Sequence, residues 1–180
     1  MHEIETKILG VDVEEIKSKL LSLRAKEIQN TRLIVDWYGP KGLTHDGDDP
    51  WYLRVRSYSD GKIEVTWKGK SDILGISRKH KEINFTISDS TQVSSLFEKL
   101  SLEKYAHQEK DRISWVLNDC QFDLDQYPEM PAYLEIEGNS EKDIQEAIKL
   151  LSLSEYQSSS EGERVLIKEK YNLDWFNMYF

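Results

Sequence analysis

Glu3, Glu5 and Lys7 alternate with Ile4 and Thr6 at the start of a 180-residue chain. A period of two places the three charged residues on one face of a β-strand and the other two on the opposite face. An acid-x-acid-x-base triplet arises by chance about once in a chain this rich in charge, so alone it carries little. The arrangement recurs, however. Arg54 and Arg56 oppose Leu53 and Val55, and Glu64, Thr66 and Lys68 oppose Ile63, Val65 and Trp67. Arg78, His80 and Glu82 oppose Ile83, Phe85 and Ile87, and Arg112 opposes Ile113, Trp115 and Leu117. Asp123 and Asp125 oppose Phe122 and Leu124, and Glu135 and Glu137 oppose Leu134 and Ile136.

For any one strand the plain reading is a face on helices and a face in water. Solvated faces usually mix Thr, Ser, Gln and Lys, whereas these concentrate paired acids on some strands and paired arginines on others. If the sheet curls into a barrel, the charges point inward. A buried ion costs several kcal/mol unless it is paired, a cost most readily met where a ligand and metal complete the pairing. Arginines suit bidentate phosphate contacts. Clustered carboxylates suit Mg²⁺ or Mn²⁺, which bridge protein and phosphate oxygens. Acids and bases together point to a chelated polyphosphate.

The elements that position these residues follow from periodicity. Strands are predicted over 3–9, 32–38, 51–58, 62–68, 78–87, 111–117, 121–125 and 133–137, with a ninth over 164–168. Asp60-Gly61 reads as a hairpin turn. Helices are predicted from Val13, Ile16, Leu20 and Leu23 with Asp12 as N-cap, from about Ser90 to Leu102, and from near Ser140, which stands at capping-box spacing with Asp143. Short connections favour antiparallel neighbours. No repeat or linker divides the chain, so one domain over 1–180 is expected.

Net charge is −9, which disfavours a general nucleic-acid binder but leaves room for a local basic pocket. The 19 aromatics among Trp, Tyr and Phe argue against disorder. One cysteine, Cys120, excludes an internal disulfide and a cysteine zinc cluster, and reads as a small apolar core group. No apolar run has membrane-spanning length and the first residues are no signal peptide, so a cytoplasmic location without membrane contact is expected. His2, His45 and His107 lack metal-ligand spacing, and Gly42–Pro50, with His45, Asp46, Asp48 and Asp49, reads as a solvated hairpin loop. The aromatic-rich end, Tyr171 to Phe180, is expected to pack on the barrel or on a second copy, which leaves a homodimer open.

The ordered series resembles the CYTH domain of the triphosphate tunnel metalloenzyme superfamily, which includes class IV adenylate cyclases and thiamine triphosphatase-like proteins. Glu3-Ile4-Glu5-Thr6-Lys7 is similar to the family's ExExK signature. Leu53-Arg54-Val55-Arg56 resembles its paired-arginine strand, and Thr66-Trp67-Lys68-Gly69 its lysine strand. Arg78, His80 and Glu82, then Lys110 and Arg112, then Asp123, Asp125, Glu135 and Glu137 resemble the strands that follow. The resemblance implies an α+β fold, an eight-stranded antiparallel β-barrel with helices packed outside. It implies that Lys7, Arg54, Arg56, Lys68 and Arg112 bind phosphates, with Lys7 and Arg56 closest to the chemistry. Lys7 would serve either the terminal phosphate or the attacking water. It implies that Glu3, Glu5, Glu135 and Glu137, with Asp123 or Asp125, hold Mg²⁺ or Mn²⁺. Glu64, Arg78, His80, Glu82 and Lys110 would support them. The implied activity is hydrolysis of an inorganic or organic triphosphate. The alternatives are cyclisation of ATP to cyclic AMP and a non-catalytic triphosphate-binding module. Many members also carry a basic residue near the C-terminus that reaches the tunnel, for which Lys168 and Lys170 are the candidates.

Overall fold

Strands with one apolar and one charged face can bury the apolar face on helices and turn the charged face into a closed barrel. The computed structural model, which describes residues 2–43, 45 and 49–180 and only the backbone at His2 and Glu3, takes that form. In chain order the elements are β1 (His2–Leu9), α1 (Val13–Ser22), β2 (Lys26–Pro40), β3 (Trp51–Tyr58), β4 (Ile63–Gly69), β5 (Asp72–Leu74) and β6 (Ser77–Ile87). There follow α2 (Ser90–Lys99), β7 (Leu102–Leu117), β8 (Cys120–Gln126), β9 (Tyr133–Gly138), α3 (Glu141–Leu150) and β10 (Ser158–Ser159). The short turn α4 (Glu163–Val165) leads into a π-helical segment, Leu166–Lys170, and β11 (Asn177–Met178) ends the series.

Eight strands close the ring in the order β1-β9-β8-β7-β2-β3-β4-β6, and β6 returns to β1 through Glu3↔His80 and Glu5↔Arg78. Every pairing in the ring is antiparallel. The β3–β4 hairpin turns where Asp60-Gly61 predicts it, with Gly61 at φ +88° and Tyr58 N donating to Lys62 O.

The apolar cores lie mainly outside the ring. Ile8, Phe122, Leu124, Leu134 and Ile136 pack on Ile16 and Leu20 of α1 and Ile144 and Ile148 of α3. Val55 and Val65 pack on Phe97 of α2. Asp12 caps α1 by accepting from Glu15 N at 2.8 Å, and Ser140 Oγ caps α3 by accepting from Asp143 N at 3.2 Å. Asp89 caps α2. No helix among the described residues is long and apolar enough to cross a membrane.

Two expectations are corrected. The strands β2 and β7 run well beyond 32–38 and 111–117 and pair with each other along their length. The extra length of β7 carries no apolar alternation, because its inward residues include Gln108 and Lys110. The ninth strand over 164–168 is instead α4 and the π-helical segment. Leu166 and Ile167 are consecutive and both fully buried, which a helical turn across a barrel mouth allows and a two-faced strand does not.

Candidate functional site

The inward faces enclose a cavity of about 580 Å³. Glu5, Arg54, Arg56, Glu64, Lys68, Arg78, Glu82, Arg112, Asp123, Glu135 and Glu137, all anticipated from strand alternation, line it. In a ring of eight, β9 with its glutamates lies opposite β3 with its arginines. Acids and bases therefore face each other across the lumen.

On the acidic wall, register sets Glu5 beside Glu137, and Glu135 beside both Lys7 and Asp123. Lys7 Nζ is 2.8 Å from Glu135 and 3.4 Å from Glu5. Arg78 Nε donates to Glu5 at 2.6 Å. Burial pushes the Glu5 carboxyl up, but Arg78, Lys7 and Lys68 outweigh it and hold it well below the usual range. Arg112 donates to Asp123 and, through two nitrogens, to Asp125, each at 2.6 Å. The two aspartates differ. Burial raises Asp123 despite Arg112, helped by Asp125 and Glu135. Asp125 is also buried, yet Arg112 and Lys110 bring it below its ordinary value.

The opposite wall is under-neutralised. Arg54 and Arg56 each bury an Nε that lacks a hydrogen-bond partner among the described residues. Arg56 reaches Tyr58 Oη at 3.1 Å and Glu64 at 3.5 Å. Arg54 has no ion pair within reach among the described residues and lies 5.6 Å over the Trp37 ring. Burial, then Arg56, lowers the Arg54 pKa, and Glu82 and Glu163 offset this only in part. Lys68 contacts Glu82 at 2.6 Å.

One mouth of the barrel is filled by the C-terminal segment. Leu166, Ile167 and Trp175 pack on Leu33, Val35 and Trp37 of β2. Glu163 accepts from Lys110 at 2.5 Å, Tyr127 at 2.9 Å and Tyr133 at 3.0 Å. Burial pushes Glu163 up, but Lys110, Lys7 and Arg54 hold it well below the usual range. Arg164 lines the cavity, lies 4.3 Å over Trp175, and meets Asp49 at 3.3 Å.

The sequence profile of the CYTH domain matches residues 1–164. The chain belongs to the CYTH domain family. Among solved structures, this CYTH domain is similar to the PH1012 protein of Pyrococcus horikoshii OT3, at 26% identity and TM-score 0.71 over 86% of this chain and 94% of that one. The PH1819 protein of the same organism superposes with TM-score 0.72 at 21% identity over 93% and 99% of the two chains. HpAC1 from Hippeastrum, described as revealing a dominant triphosphatase activity, superposes with TM-score 0.70 at 12% identity over 93% and 96%. No curated protein sequence matches the chain.

Four anticipated residues of this CYTH domain stand back from the cavity surface: Lys7, His80, Lys110 and Asp125. Asp125 is fully buried and takes hydrogen bonds from Lys110, Arg112 and Tyr133. His80 is buried near Glu82 at 3.6 Å. The Glu3 side chain lies outside the described residues, as do Asp46 and Asp48 of the 42–50 stretch. His45 of that stretch is buried and stacked on Tyr105 at 3.8 Å, which corrects its reading as wholly solvated. Lys168 lies 5.5 Å over the Phe176 ring and Lys170 bonds Gln157, so among the described residues Arg164 is the C-terminal cation that lines the cavity. Glu163 was missed because it lies outside every predicted strand, and Arg164 because it was read as the start of a ninth strand over 164–168 that folds as a helical turn; Gly162 just before them is the one local sign of a helix start. Cys120 is buried, as expected.

Proposed function

We propose that this chain is a divalent-metal-dependent hydrolase of a triphosphate-bearing substrate. One observation carries the reading: Arg54 and Arg56 line a cavity whose far wall is made of carboxylates, and among the described residues each leaves a buried Nε–H without a hydrogen-bond partner. A buried guanidinium left short of acceptors is costly, and phosphate oxygens are the acceptors that best match its planar fork.

Phosphoryl transfer asks the protein chiefly for positioning and charge stabilisation. Arg54, Arg56, Lys68 and Arg112 hold phosphate oxygens. Lys7, set between Glu5 and Glu135, acts through these two carboxylates, holding both in place and helping to keep Glu5 ionised. Asp125 acts likewise through Arg112, which it grips with both oxygens.

The acidic wall fits Mg²⁺ or Mn²⁺ by its chemistry: Glu5, Glu137, Glu135 and Asp123 offer hard oxygen donors on three neighbouring strands. Glu3 is the further donor that the ExExK pattern adds. When bound there, the ion supplies charge neutralisation of the phosphate chain. Among the described residues no three such groups converge, and Arg78, Arg112 and Lys7 each pair with one or more of them.

The deciding assay offers tripolyphosphate, ATP and thiamine triphosphate, each with Mg²⁺ or Mn²⁺. Phosphate release is expected, and Arg56→Ala is expected to abolish it while far-UV circular dichroism stays unchanged. Cyclic AMP from ATP would make the chain a cyclase instead. Binding without turnover would leave a binding module, and near-normal turnover in Arg56→Ala would refute the site.

A further inference from the structure

We infer that Asp49, steadied by His45 in a slot beside Gly39, positions the Arg164 guanidinium for the substrate's phosphate oxygens, an inference that rests on the triphosphate reading above. Arg164 lines the cavity, whereas Gly39, His45, Asp49 and Tyr105 do not. Arg164 Nη1 donates to Asp49 at 3.3 Å and Nη2 to Tyr105 Oη at 3.4 Å. His45 touches both acceptors. Its ring stacks on Tyr105 at 3.8 Å and 13°, and its Nδ1 lies 3.2 Å from Asp49. The ring is buried hard against β2: a methyl group at Gly39 would overlap His45 Cε1 and come within 2.8 Å of its Nε2. Gly39 is not among the glycines at positive φ, so this close approach is what calls for glycine there.

These contacts set the plane and the rotation of the guanidinium. It lies 4.3 Å over Trp175 and 5.9 Å over Tyr52. Asp49 and Tyr105 engage its two Nη atoms, and its buried Nε has no hydrogen-bond partner among the described residues. An arginine held in this way has little rotamer freedom left to lose when it takes up a phosphate oxygen. The plainer role for Asp49 is to neutralise Arg164. Neutralisation needs only a nearby charge and leaves the seating of His45 unexplained. His45 Nε2 is buried with no hydrogen-bond partner among the described residues, a costly placement that secures Asp49 and Tyr105 together. The two roles differ in sign. A carboxylate that only neutralises competes with phosphate, so its removal tightens anion binding, whereas loss of one that positions weakens it.

The test measures the Kd of tripolyphosphate with Mg²⁺ by titration calorimetry on the intact chain. Gly39→Ala puts a methyl group where His45 sits, yet alters no formal charge and no cavity-lining residue. It is expected to weaken binding about five- to tenfold with far-UV circular dichroism unchanged. His45→Ala, which removes bulk instead of adding it, is expected to do the same, and adding Gly39→Ala to it is expected to change nothing further, since the slot is then empty. Asp49→Ala is expected to weaken binding in the parent chain and by less than about twofold in Arg164→Gln, because it acts through Arg164. Tighter binding in Asp49→Ala, or parent-like binding in both Gly39→Ala and His45→Ala, would overturn the positioning role while leaving triphosphate binding intact. An equal loss with and without Arg164 would overturn it too. No binding of tripolyphosphate by the parent chain would overturn the triphosphate reading, and this inference with it.

Discussion

Lys110 Nζ lies 2.5 Å from Glu163 Oε1, an ion pair across 53 positions of sequence between side chains only 2% and 12% exposed. It joins the barrel wall to the segment that closes its mouth. Glu163→Ala removes the acceptor shared by Lys110, Tyr127 and Tyr133, and is expected to cost about 3 kcal/mol or more in urea unfolding, the usual result of breaking a buried pair. The double variant Lys110→Met, Glu163→Leu is expected to cost clearly less than the two single losses added together. Strict additivity would show that the pair does not couple wall to plug.

Arg54 and Arg112 should separate in a stability measurement. Arg112 has carboxylates on both sides, so Arg112→Met leaves Asp123 and Asp125 uncompensated and is expected to lose about 3–5 kcal/mol. Arg54 has no ion-pair partner among the described residues, so Arg54→Met is expected to be neutral or stabilising by about 1 kcal/mol. Tripolyphosphate at 100 times its Kd would stabilise the parent chain by about 2.7 kcal/mol, and Arg54→Met is expected to lose most of that gain. A large destabilisation by Arg54→Met would make it a structural residue.

The two aspartates of β8 should answer differently to metal. Asp123 lines the cavity and Asp125 does not. Asp123→Asn and Glu135→Gln are expected to raise the Mg²⁺ concentration needed for half-maximal phosphate release by about tenfold or more. Asp125→Asn is expected to lower Tm with the Mg²⁺ requirement little changed. A raised requirement in Asp125→Asn alone would reverse the assignment.

Acid should loosen the barrel from the inside. Glu5 and Glu163 are held well below their ordinary 4.5 and Asp125 below 3.8, in each case because cationic neighbours outweigh burial. An acid with a depressed folded pKa contributes stability that is present above its unfolded value and lost as pH falls through the folded one. Asp123, raised by burial, works the other way: its contribution is present below 3.8 and fades as pH rises. Three groups against one predict a Tm that is level down to pH 4.5 and falls below it. Glu163→Gln is expected to flatten that fall, and an unchanged acid limb would show that Glu163 does not carry it.

Much of the site was legible because strand alternation reports which face a residue takes. Arg54, Arg56, Lys68, Arg112, Asp123, Glu135 and Glu137 were readable on that ground, and all line the cavity. Alternation does not report how far along the axis a residue sits or what stands in front of it. Lys7 and Asp125 share the inward face and still stand behind their partners, since Glu5, Glu135 and Arg112 occupy the lumen side.

The sequence by itself determined the strands and which of their faces carry charge, because period-two patterning reports the face a residue takes, and the resemblance of the ordered series to the CYTH domain implied the barrel. Only the tertiary structure decided that one mouth is filled and that Glu163 and Arg164 belong to the interior. Those contacts join residues 30 to 59 positions apart through a segment that folds as a helical turn, and long-range pairing of that kind leaves no local mark on the chain.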